Sequence, residues 1–109
     1  MNEAEYRKKV QEVYDRIQRA FDDVDPDVAE CEQSTGVLTI TLSDRSRCIL
    51  STQPSVRQIW FAFAAKGTAV HFNYDPSNDR WIDDKGRNIE LVAHFKTLMR
   101  ETTGLELSL

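Results

Sequence analysis

The sequence predicts an α+β fold, a two-layer sandwich with two helices packed on one face of a five- to six-stranded antiparallel sheet. An apolar stripe at helical spacing opens the chain and a second one closes it. Between them, short segments alternate apolar and polar residues and are separated by turn residues. Two helices with one apolar stripe each need one sheet face to cover, which leaves the other face to solvent. At 109 residues the chain is expected to form one domain over 1–109.

The elements follow in order. Asn2 and Glu5 stand at capping-box spacing and open the first helix. Tyr6, Val10, Val13, Tyr14, Ile17, Phe21 and Val24 form its stripe, so the helix is expected to run to about Phe21–Asp23. Pro26 ends any continuation, because the residue before a proline avoids helical angles. Strands are expected at 28–33, 37–42, 48–52, 58–63, 69–74 and 80–83. Ser34-Thr35-Gly36 joins the first two as a hairpin turn, Ser43 to Ser46 makes the next, and Pro54, Gly67, Asp75 to Asn78 and Lys85-Gly86 punctuate the rest. Asn88 reads as the N-cap of the closing helix, whose stripe is Leu91, Val92, Phe95, Leu98 and Met99, ending before Gly104. The tail Leu105 to Leu109 is apolar enough to fold back onto the body.

Charge is distributed unevenly. Residues 1–32 carry ten acids against five bases, and the remainder carries eight against nine, so the net charge of −4 resides in the N-terminal third. On the first helix, Glu5 is one turn from Lys8 and Lys9, Glu12 from Arg16, and Asp15 from Arg19, which are ordinary surface pairs. The run Asp22, Asp23, Asp25, Asp27, Glu30, Glu32 contains no Lys or Arg. Its first members oppose the helix macrodipole, and Glu30 and Glu32 point to one face of a strand, about 7 Å apart. Like charges gathered against local rules suggest a weak, exposed site for hard cations such as iron, manganese, calcium or magnesium. The alternative is a solvated acidic face that only confers solubility.

Other chemistry is limited. An acidic pI near 5.1 and the lack of a basic face argue against nucleic acid. No apolar run approaches the roughly 18 residues of a membrane span, and no leader pattern is present, which favours a bacterial cytoplasmic protein or a trimmed mature form. Cys31 and Cys48 lack zinc-type spacing and read as buried, reduced thiols. His71 and His94 are isolated and read as surface or satisfied histidines. Trp81 reads as core or edge packing. In Gln58 to Phe63, pleat alternation sends Ile59, Phe61 and Phe63 to the core and Gln58, Trp60 and Ala62 to the solvent face. Trp60 there is either a partner-binding hot spot, with Arg57 framing the patch, or is covered by neighbours.

Taken together, Asp22-Asp23-x-Asp25, Glu30-Cys31-Glu32, Gly36 to Thr41, Gln58-Ile59-Trp60, the later Trp81 and the closing helix resemble the frataxin family, in its short bacterial CyaY-type form. The resemblance spans about Met1 to Thr102. It implies the same helix–sheet–helix sandwich, a place in iron–sulfur cluster assembly, and weak binding of iron (Fe2+/Fe3+) by Asp22, Asp23, Asp25, Asp27, Glu30 and Glu32. It further implies docking onto a cysteine desulfurase and its scaffold protein, with Asp22, Asp23, Gln58 and Trp60 at the contact, by a chain that is a monomer without iron. Catalysis is not expected; the alternative is a ferroxidase or an iron-storage or chaperone protein that oligomerises with iron. The chain departs from the family at Gln18 and Arg19, where relatives carry acids, at Ser51 and Thr52 before the Gln-Ile-Trp strand, and in the early position of Pro54.

Overall fold

The computed structural model describes residues 1–109. Helix α1 spans Glu3–Arg19 and is followed by strands β1 (Ala29–Ser34), β2 (Val37–Leu42), β3 (Arg47–Gln53), β4 (Gln58–Phe63), β5 (Thr68–Asp75) and β6 (Arg80–Asp83), then helix α2 (Leu91–Thr103). The six strands form one antiparallel sheet in sequence order, each joined to the next by a hairpin, so β1 and β6 are its edges. Short 3-10 turns at Pro54–Val56 and Ala64–Lys66 carry the third and fourth connections. The α+β sandwich expected from the two stripes is therefore present, with six strands.

Both helices cover the same sheet face. Alternation along β2 buries Leu38, Ile40 and Leu42, and along β4 buries Ile59, Phe61 and Phe63. Against them lie Tyr6, Val10, Val13, Tyr14 and Ile17 of α1 and Leu91, Val92, Phe95, Leu98 and Met99 of α2. Fully burying one such side chain contributes about 1.5–3 kcal/mol. Trp81 is part of this core, edge-on to Tyr6 and Tyr74. In the tail, Leu107 is buried and Leu105 and Leu109 pack against the core. No helix is long and apolar enough to cross a membrane.

Strands β1, β3 and β5 differ from the sequence reading by one residue at each end, and two helix boundaries differ in kind. Helix α1 stops at Arg19 with Ala20 as its C-cap, not at Phe21–Asp23. The hydrogen bonds switch there to three-residue spacing, from Phe21 N–H to Gln18 O, Asp22 N–H to Arg19 O and Val24 N–H to Phe21 O. The apolar stripe outlasts the helix because Phe21 still packs edge-on against Phe95 from the turn. Two aspartates at a helix C-terminus would also oppose the macrodipole. Asn88 is not the N-cap of α2: it sits in the left-handed region at φ 58°. Glu90 is the cap, its carboxylate accepting from the backbone N–H of Val92 and Ala93. Asn88 turns the chain so that Ile89 N–H reaches Asp83 Oδ1 and Glu90 bridges to Ile82.

Gly36 closes the β1–β2 hairpin at φ +72°, and a Cβ there would lie 2.5 Å from Thr52 Oγ1. Its carbonyl accepts from Thr52 N–H and from the Tyr14 hydroxyl, which ties the hairpin to β3 and to α1.

Candidate functional site

The six ridge carboxylates lie along one edge of the molecule. Asp22 and Asp23 are in the turn after α1, Asp25 and Asp27 in the turn before β1, and Glu30 and Glu32 on the edge strand itself; all are exposed. Glu30 pairs with Thr41 and Glu32 with Thr39. Since Leu38, Ile40 and Leu42 face the core, both glutamates lie on the solvent face of the sheet.

None of the six takes part in any of the seven salt bridges of the chain. Only Asp25 has a protein donor, the N–H of Asp27 at 2.9 Å, which shapes the turn. Arg7, Lys9, Lys66, Arg80 and Arg87 pair with acids elsewhere in the chain. Nor do the six converge: no three His, Cys, Asp or Glu side chains come together in metal-binding geometry. The edge thus offers carboxylates singly and in pairs, and a hard cation bound there would complete its shell with water.

The pairs expected on α1 are rearranged. Glu12 bonds Lys9 at 3.2 Å, not Arg16, and Glu5 pairs with neither Lys8 nor Lys9. Asp15 accepts from the amides of Gln11 and Gln33 rather than from Arg19. Those amide bonds, Gln33 first, hold its carboxyl below the usual range. Gln18 joins the same network by accepting from Gln33. Where relatives are expected to carry an acid, the side chain thus links α1 to β1 and adds no charge to the ridge.

The thiols are unsuited to metal. Cys48 is fully buried, and burial pushes the half-buried Cys31 thiol up to about 12, so both stay protonated at neutral pH. His94 is neither a surface residue nor satisfied. Its ring tilts against Phe61 at 5.2 Å, and its buried Nε2 has no hydrogen-bond partner. Burial lowers its pKa and keeps the ring neutral.

On the solvent face of the sheet, Trp60 is 37% exposed, beside Ile49 at the same exposure. Arg57 does not frame this patch. Its guanidinium bonds the Pro54 carbonyl and lies 5.9 Å from the Tyr6 ring, at the sheet's end. In its place stand His71, stacked on Trp60, and Asp84 and Asn73, which bond Gln58. Sequence reading set His71 aside as isolated. The signal that places it is the β4–β5 register, which pairs Trp60 with His71.

Comparison with known proteins gives a consistent picture. A family model described as a frataxin-like domain matches residues 1–105. A protein of Pseudomonas fluorescens named iron-sulfur cluster assembly protein CyaY is 32% identical over 106 residues, covering 97% of this chain and 93% of the relative. The Pseudomonas aeruginosa protein of the same name is 39% identical over 84 residues, covering 77% of this chain and 75% of its own. The solved structure of a frataxin from Psychromonas ingrahamii shares the fold, with a TM-score of 0.85 at 20% identity over 98% of this chain and 96% of that one.

Proposed function

The chain belongs to the frataxin family, and on that premise we propose that it serves iron–sulfur cluster assembly as a non-catalytic, iron-responsive partner of the cysteine desulfurase and its scaffold protein. The relatives' name supports the pathway. The observation that carries the mechanism is the absence of any ion pair at Asp22, Asp23, Asp25, Asp27, Glu30 and Glu32, while Asp75, Asp79 and Asp83 at the opposite edge are paired. Unneutralised carboxylates attract a cation or a basic protein surface with the same field. Iron, as cargo, binds weakly because no cage of ligands is preformed. Each bound Fe2+ reduces the negative charge that a basic partner would meet, which couples docking to iron.

The ferroxidase alternative needs two irons held close by shared ligands, as in di-iron carboxylate bundles. The spread of the six acids does not favour it.

The docking role is tested by capture of the protein on immobilised, purified cysteine desulfurase. Asp22→Lys combined with Asp23→Lys should weaken capture by on the order of tenfold, most at low salt. Capture that is absent for the unaltered chain, or indifferent to the double reversal, overturns it.

A further inference from the structure

Trp60 and His71 face each other across β4 and β5, with ring centroids 4.2 Å apart and planes 7° apart. Neighbouring strands lie about 4.8 Å apart, so rings stacked in this way stand upright on the sheet. The indole is also fixed at its edge: its Nε1–H donates to Gln58 Oε1 at 2.9 Å. The Gln58 amide donates to Asn73 Oδ1 and Asp84 Oδ2, each at 3.1 Å. Asp84 Oδ2 lies 3.7 Å from His71 Nδ1, which closes a ring of contacts around the tryptophan.

An upright indole has two faces, and His71 covers one. The other turns towards β3, where the register places Ser51 opposite Trp60 and Val37 beyond it on β2. Serine is too short to cover an indole. The result is a slot with Trp60 as one wall, Ser51 as its floor and Val37 as the far wall, two strand spacings or roughly 10 Å across between strand axes. No cation of the chain uses this face, since Lys9 lies over Tyr74 and Arg57 over Tyr6.

The surrounding charge is negative. Asp84 stands beside His71, and Glu32 lies on the same sheet face three strand spacings and two residues from Trp60, about 16 Å. Arg47 shares the face but sits four residues from Ser51 along β3, about 13 Å away.

We propose that this slot receives an arginine guanidinium from the docked partner, and that His71 is the residue that positions Trp60 to take it. The proposal rests on the docking role above and adds its chemistry. A guanidinium is planar and stacks flat on an indole while its edge N–H groups stay free to donate to Ser51 Oγ, and its charge meets the field of the acids on this face. A lysine ammonium is a compact point charge that fills no slot. An apolar side chain would leave the flanking acids without counter-charge.

The test is an NMR titration with acetylated Arg-Gly-Arg-Gly-Arg peptide, its lysine counterpart, and a neutral leucine counterpart. The arginine peptide should shift the Trp60 indole N–H and the Ser51 amide, and bind about two- to fivefold tighter than the lysine peptide, the range an exposed cation–π contact carries. Ser51→Leu, which fills the slot on an exposed strand position, should remove that preference while shifts at Asp22–Glu32 persist. His71→Ala should reduce the preference and His71→Phe, which keeps a stacked ring, should restore it. Equal binding of the arginine and lysine peptides with shifts confined to Asp22–Glu32 overturns the slot, as does a Trp60 shift of equal size from the leucine peptide. Desulfurase capture remains charge-dependent in that event if only the slot fails, so the two readings fall separately.

Discussion

The two edges of the sheet treat aspartate in opposite ways. At the β6 edge, Asp75, Asp79 and Asp83 are surrounded by donors. Asp75 holds Arg80 and Asn78, and Asp79 holds Lys9 and the Tyr74 hydroxyl. Asp83 is buried and accepts from the backbone N–H of Lys85, Arg87 and Ile89 and from the Arg87 guanidinium. Burial alone would push its carboxyl up, but these four donors outweigh it and hold the pKa at about 2. At the β1 edge, six exposed carboxylates have a single backbone N–H among them. Where an aspartate shapes the fold, this chain supplies its donors. Where the donors are missing, the counter-charge has to come from outside.

The sharpest way to break this contrast is Asp83→Ala. It removes the one buried acceptor that four donors of the β6–α2 turn share and should lower Tm by on the order of 10 °C, read by thermal unfolding. A loss no larger than at the ridge would erase the distinction between the edges.

Acid should reveal the same difference. Asp83 titrates below its unfolded value, so its contribution is complete above the ordinary carboxylate range near pH 4 and is lost as pH falls to about 2. Urea midpoints measured down this range should fall steeply in the natural chain and less so in Asp83→Asn.

A smaller effect is expected from Lys9→Met. Lys9 joins Glu12 and Asp79 at the surface, and its removal should cost only about a degree or two of Tm, less in high salt. The smallest stability effect belongs to the ridge: Asp22→Asn with Asp23→Asn should leave stability within about 0.5 kcal/mol, with no loss, because nothing in the chain holds these groups. Iron binding and desulfurase capture should both weaken in that variant.

Much of this was legible in the sequence, for identifiable reasons. Strands β2, β4 and β6 fall on their expected residues because strict alternation marks both ends of each. Helix α1 was read too long because periodicity records which face is buried, and Phe21 remains buried after the helix has ended. Asn88 carried a cap-like side chain, yet the cap came from Glu90, a choice set by the long-range bonds of Asp83 and Ile82. The six acids could be found from composition and spacing alone. That they are unpaired, while Asp79 is held by a lysine seventy residues away, depends on tertiary contacts. The Trp60–His71 stack is of the same kind, since neither residue has a local signal for the other and only the β4–β5 register brings them together.

The central claim, that the β1 edge is the part of the molecule open to a cation, is tested most directly by an anaerobic Fe2+ titration followed by NMR. Broadening should begin at Asp22, Asp23, Asp25, Asp27, Glu30 and Glu32 and leave Asp75, Asp79, Asp83, His71 and His94 unaffected. Broadening centred on the β6 edge or on either histidine would contradict it.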